Sequence, residues 1–105
     1  MSQNTLYCTA EFTPKEGREE ELFNKLQALE EITHKESGCI QYKVMKKFDH
    51  KYADGTHGGI LFNEIWASEE DFEKHCENDH IVEFFQNECI DENGSASKWN
   101  VNVFR

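Results

Sequence analysis

Hydrophobic residues in this chain recur with two different spacings, and the spacing switches several times. From Thr5 to Phe12, Leu6, Cys8, Ala10 and Phe12 share one parity while Tyr7, Thr9 and Glu11 hold the other, which predicts a strand. Thr13-Pro14-Lys15-Glu16 reads as a turn or a first helical turn: Thr13 as the cap, Pro14 where a helix tolerates it, and Glu16 three after the cap. From Arg18 to about Lys35 the apolar positions Leu22, Phe23, Leu26, Leu29 and Ile32 fall three and four apart. That is an amphipathic helix, with acid at the end where the helix dipole favours it. Gly38 ends it as a residue able to take positive φ.

Cys39 to Phe48 alternates again, with Ile40, Tyr42 and Val44 facing one way and Gln41, Lys43 and Met45 the other. A polar loop follows from Asp49 to Gly58. In the next strand Ile60, Phe62, Glu64 and Trp66 alternate with Leu61, Asn63 and Ile65, so both faces carry apolar side chains and both are expected to be covered. Ser68 with Asp71 three residues on is a capping-box start for a helix carrying Phe72, His75 and Cys76. Asn78-Asp79 breaks that helix and caps another, running from His80 to about Ile90 with Ile81, Phe84, Phe85 and Cys89 at helical spacing. Asp91 to Ser95 is a turn, and Trp99, Val101 and Val103 alternate with Asn100 and Asn102 in a final strand.

The order β-α-β-β-α-α-β predicts an α+β ferredoxin-like sandwich, one antiparallel four-stranded sheet with helices on one face. The other face would carry Tyr7, Thr9, Met45, Leu61, Ile65 and Phe104. That is too apolar to leave wet, and it predicts a homodimer through the sheet face.

Composition narrows the function classes. A chain of 105 residues makes one domain, and an apolar content of 37% supports one small core. Lys and Arg number 11 against 21 Asp and Glu, a net charge of −10, which opposes binding to nucleic acid or to an anionic membrane surface. No apolar stretch is long enough to span a bilayer and no signal peptide is evident. The four cysteines form no CxxC pair and are expected to be reduced, in a cytoplasmic protein, mostly as small core residues.

Several short motifs together resemble the antibiotic biosynthesis monooxygenase (ABM) family. They are the first apolar strand with Pro14 and Gly17, Glu36-Ser37-Gly38-Cys39, Glu64-Ile65-Trp66, and His75 and His80 followed by Phe84. The likeness spans roughly Leu6 to Phe104. It implies a dimeric α/β barrel with a ligand pocket in each subunit, between sheet and helices. It also implies one of several chemistries: oxidation of phenols or quinols by molecular oxygen without metal or flavin, processing of a sugar-derived signal, or haem degradation. The haem branch uses Asn, Trp and His where this chain has Ala10, His75 and Phe85, and Phe ligates no iron, so haem is not implied unless His75 or His80 takes that role.

Chemistry then concentrates on a few side chains. Glu64, set between Phe62 and Trp66, needs a partner or a task, since an unpaired carboxylate among aromatics is costly. In the functional reading Trp66 stacks on a flat substrate and Glu64 orients it or accepts a proton; in the structural one Glu64 bonds a helix cap or a partner subunit and Trp66 fills the core. Oxygen activation without a cofactor needs a deprotonated substrate, for which His75 or His80 is a suitable base, unless each is a surface or capping histidine. Phe12, Tyr42, Phe62 and Phe72 would line the same space, with Asn63 joining if the strand twists it inward. Catalytic candidates are therefore Glu64, His75 and His80, and substrate-binding candidates Phe12, Tyr42, Phe62, Asn63, Trp66 and Phe72. No metal is expected, because His75, Cys76, His80 and Cys89 meet no recognised zinc-ligand spacing. No organic cofactor is expected either, with molecular oxygen as co-substrate to a small aromatic.

Overall fold

Strand pairing organises the molecule, a computed structural model describing residues 3–105. Strand β1 (Leu6–Pro14) lies in the middle, antiparallel to β3 (Ile60–Trp66) on one side and to β4 (Ala96–Phe104) on the other, and β2 (Cys39–Lys46) pairs with the outer edge of β3. The resulting order β2-β3-β1-β4 is the ferredoxin-like antiparallel sheet expected from the alternating segments. Helices α1 (Glu19–Thr33), α2 (Glu69–Glu77) and α3 (Asp79–Phe84) are followed by a π-helix over Phe85–Ile90.

The register puts whole rows of side chains on one face. Tyr42, Glu64, Cys8 and Val103 lie across the four strands in one row, and Val44, Phe62, Ala10 and Val101 in the next. Leu22, Leu26, Leu29 and Thr33 of α1 bury against these rows, with Leu22 and Leu26 fully covered, each adding about 1.5–3 kcal/mol relative to exposure. Ile32 lies off this stripe and is exposed, so the helix face is narrower than its apolar spacing implied.

Four local features depart from the sequence reading. Thr13 and Pro14 do not begin a helix. They extend β1, because Pro14 pairs with Ala96 across a register shift and the Lys15 amide donates to Ser95 O at 2.8 Å, so α1 starts only at Glu19. Ile40 faces solvent because the β2–β3 register shifts between Cys39 and Gln41, while Tyr42 and Val44 stay inside. The last helix is not uniform: it passes from α to π at Phe85. Finally, Trp99, Val101 and Val103 share the helix-facing side with Phe12, Ala10 and Cys8, yet all three are exposed, because β4 is an edge strand that the helical layer covers only in part.

The π segment is pinned by a polar latch. Buried Glu88 accepts from Ser95 N at 3.1 Å and Ser95 Oγ at 2.7 Å through one oxygen, and from Lys25 Nζ at 2.8 Å through the other. Burial pushes its carboxyl up, but Lys25 and Ser95 outweigh this and hold it below the usual range. Gly94 is needed here because a Cβ would lie 2.3 Å from Glu88 O.

The open sheet face matches the predicted list but is not evenly apolar. Ile65, Tyr7 and Phe104 form one row, and Met45 and Leu61 sit at the far corner. Between them runs a polar row, Lys43, Asn63, Thr9 and Asn102. Among the described residues no helix is long and apolar enough to cross a membrane.

Candidate active site

A chamber lies between the central strands and the helices. Strands supply Cys8, Ala10, Phe12, Tyr42, Phe62, Glu64 and Val101; helices supply Leu26, Leu29, Phe72, His75, Cys76, Ile81 and Phe84, and the π segment Phe85. The cavity measures about 70 Å³. That is far below the several hundred Å³ of a site for drug-sized ligands and about half of the roughly 150 Å³ cavity that holds a benzene ring, so the walls would have to part to take even one small ring, and no macrocycle fits.

Its walls are aromatic. Tyr42 and Phe62 stack at 4.2 Å, and Phe12 meets Phe84 edge-on at 5.6 Å. The alternation of β1 and β3 accounts for this, since Phe12 and Phe62 both fall on the helix-facing parity.

Among the described residues, Glu64 is the only acidic side chain in this lining, and it is 3% exposed. Its place follows from period-2 geometry, which sends it inward with Phe62 and Trp66. Trp66 Nε1 donates to Glu64 Oε1 at 3.0 Å, and the thiol of Cys8, directly opposite on β1, bonds the same carboxylate. Burial raises the Glu64 carboxyl from 4.5 to about 7, against the pull of the Trp66 and Cys8 bonds and with a further push from Glu36. Burial, with Glu64 opposite, pushes the Cys8 thiol far above its usual range, so Cys8 acts as a donor and not as a thiolate.

His75, in the last turn of α2, is buried, with its ring 4.6 Å from Trp66 and 5.1 Å from Tyr42. Its Nδ1 lies 3.1 Å from both oxygens of Glu36, and His80 Nε2 lies 3.0 Å from Glu36 Oε2. A carboxylate can only accept, so both imidazoles donate to it, and Nε2 becomes the basic nitrogen of His75. Burial lowers the pKa of His75, more than Glu36 raises it.

The structure gathers most of the predicted residues and separates three. Glu64, His75, Phe12, Tyr42, Phe62 and Phe72 line the chamber. Trp66 does not: it is fully buried behind the wall, where it orients Glu64 and packs on His75, so no substrate face is open to it. Asn63 is turned to the opposite, exposed face, because its parity differs from that of Glu64 and the strand twist does not bring it in. His80 sits outside the lining, half-buried against Glu36. Two partners were not anticipated from sequence. Cys8 reads from sequence as a small core residue, and Glu36 stands out only as a member of the Glu-Ser-Gly-Cys motif that carries the family likeness.

Comparison with known proteins agrees with this architecture. A crystallised protein of Shewanella oneidensis superposes with a TM-score of 0.82 at 26% identity, over 98% of this chain and 91% of that one. A Mesorhizobium loti protein described as a DABB family member with a ferredoxin-like fold gives 0.71 at 13% identity, over 98% and 97% of the two chains. A structure described as antibiotic biosynthesis monooxygenase gives 0.71 at 19%, over 95% and 96%. No functionally curated protein matches the sequence. The fold is thus that of the ferredoxin-like α+β class. Within it, the sequence profile of the antibiotic biosynthesis monooxygenase family matches residues 5–87, and the chain belongs to that family.

Proposed function

We propose that this protein is a monooxygenase that works without an organic cofactor on a small, electron-rich ring, a phenol or hydroquinone. The observation that carries the reading is Glu64, a nearly inaccessible carboxylate lining an aromatic chamber. Such a group near pH 7 is matched to removing a proton from a phenolic hydroxyl. The phenolate's ring carbon then adds molecular oxygen. The resulting hydroperoxide loses water together with the hydrogen on the same carbon, leaving a new carbonyl. One oxygen atom ends in the quinone and one in water, and the ring supplies all four electrons. Phe12, Phe62 and Phe72 provide the apolar walls, and Tyr42 and His75 bond the ring's oxygens. Trp66 holds Glu64 in place, and His80 acts only through Glu36.

The same reading includes a homodimer through the open sheet face, supported by the Ile65–Tyr7–Phe104 row. A sugar-derived ligand is disfavoured by the scarcity of polar groups in the lining. Oxygen uptake with a panel of hydroquinones and phenols tests the reading. The wild type should exceed the uncatalysed rate, and Glu64→Gln should lose roughly 10²–10⁴-fold in rate. Uptake equal to the protein-free control across the panel leaves the alternative, a ligand-binding dimer without catalysis.

A further inference from the structure

Glu36, His75 and His80 come from three separate elements. Glu36 lies in the turn after α1, His75 is in the last turn of α2, and His80 is in the first turn of α3. Each offers one donor atom, and the three donors lie within 4.8 Å of one another. We propose that these three side chains form a binding site for a divalent transition cation, with two imidazole nitrogens and one carboxylate oxygen as ligands.

The spacing supports this. Nδ1 of His75 is 3.1 Å and Nε2 of His80 is 3.0 Å from the same oxygen, Glu36 Oε2. Metal–ligand bonds of about 2.1 Å set neighbouring donors about 3.0 Å apart along an octahedral edge and about 3.4 Å apart along a tetrahedral one. The two edges to Glu36 thus fit an ion as they stand, and the two imidazole nitrogens, within 4.8 Å of each other, would draw together on binding. Rigidity supports it too: the His75 ring is held between Trp66 and Tyr42. Glu36 opens on a surface groove that Ser37, Asp71, Lys74 and Asn78 also line, from which water could complete the coordination. Two nitrogens and one oxygen suit zinc, cobalt, nickel or ferrous iron better than magnesium or calcium. The net charge of −10 favours any cation.

Occupancy has a chemical consequence. An ion on His75 Nδ1 takes the lone pair there and moves the ring hydrogen to Nε2; His80 makes the mirror change, with no net gain or loss of protons. The metal-bound protein would therefore lose the basic nitrogen of His75. Only this effect on activity rests on the oxidation proposed above; binding does not.

Cobalt(II) titration of the full chain, followed by visible absorption and calorimetry, tests the site. One equivalent should bind with micromolar or tighter affinity and give ligand-field bands. His80→Gln and Glu36→Gln should weaken binding by at least about tenfold, the loss that even an outer-shell change brings. His50→Gln, at an exposed loop position, controls for surface histidines, and circular dichroism checks folding. Millimolar binding only, or full affinity in both site variants with native spectra, overturns the proposal. Because these readouts need no turnover, they remain informative whether or not any substrate is oxidised.

Discussion

The indole nitrogen of Trp66 and the carboxylate of Glu64, two residues apart on one strand, are joined by a 3.0 Å hydrogen bond inside the core. The bond favours the ionised carboxylate, while burial favours the protonated one, and burial prevails. Folding therefore binds Glu64's proton more tightly than the unfolded chain does. Its contribution to stability is present below about 4.5 and is lost as pH rises through about 7. The span corresponds to about 3 kcal/mol. Glu64→Gln should flatten this part of the profile, so that the variant gains on the wild type as pH rises from 5 to 8. Chemical denaturation at several pH values measures the difference. Parallel curves would mean that Glu64 ionises normally.

Trp66→Phe removes the donor and leaves the carboxylate with the Cys8 thiol. Hydrogen bonds to charged groups are worth about 1.5–3 kcal/mol, so the acid limb of any activity profile should move up by roughly one to two pH units. A rate that falls equally at every pH would instead assign Trp66 a packing role alone.

Phe62 stacks on Tyr42 and is almost fully buried, so Phe62→Ala should cost about 3–5 kcal/mol of stability. The same change enlarges the chamber. If the wall sets substrate size, this variant should accept bulkier rings while losing affinity for small ones, which a comparison of KM across a phenol series would reveal.

The Glu88 latch gives a stability prediction away from the chamber. Glu88→Ala leaves the buried Ser95 hydroxyl and amide unpaired and should destabilise by about 2–3 kcal/mol. Because its carboxyl is held low, the latch contributes above the ordinary carboxylate range and is lost as pH falls through its own, lower value. Urea titrations at neutral and acidic pH should show the variant's deficit shrinking in acid.

Sheet-to-sheet assembly predicts that Tyr7→Lys or Ile65→Lys converts a dimer to a monomer. Sedimentation velocity at micromolar concentration reads this directly. A wild-type monomer at that concentration would remove the assembly altogether.

Period-2 alternation in β1 and β3 was sufficient to place Glu64, Phe12 and Phe62 on one inner face, because both strands are central and their registers are regular. The same alternation misled for Ile40, where a register shift at the strand end turns the side chain out. It also said nothing about cover: Trp99 and Val103 have the right parity but are left exposed on the edge strand. Pro14 shows local preference yielding to pairing, since the neighbouring β4 draws it into the sheet. Glu36 was the costliest omission. Its partners are 39 and 44 residues away, and no local pattern marks a turn glutamate as the acceptor for two histidines.

The π segment has a consequence for how this chain tolerates change in length. A π turn packs an additional residue into what would be an α turn, and Phe85–Ile90 uses that slack to send Phe85 toward the chamber and Glu88 toward Ser95. Excising Asn87 would remove that additional residue and let the backbone relax into ordinary α geometry, with Glu88 and Cys89 keeping nearly their directions about the axis. The loss would fall on the slack that turns Phe85 toward the chamber. The same excision inside α3, which has no residue to spare, would swing every later side chain about 100°, whereas the exposed stretch 49–57 has room to absorb it.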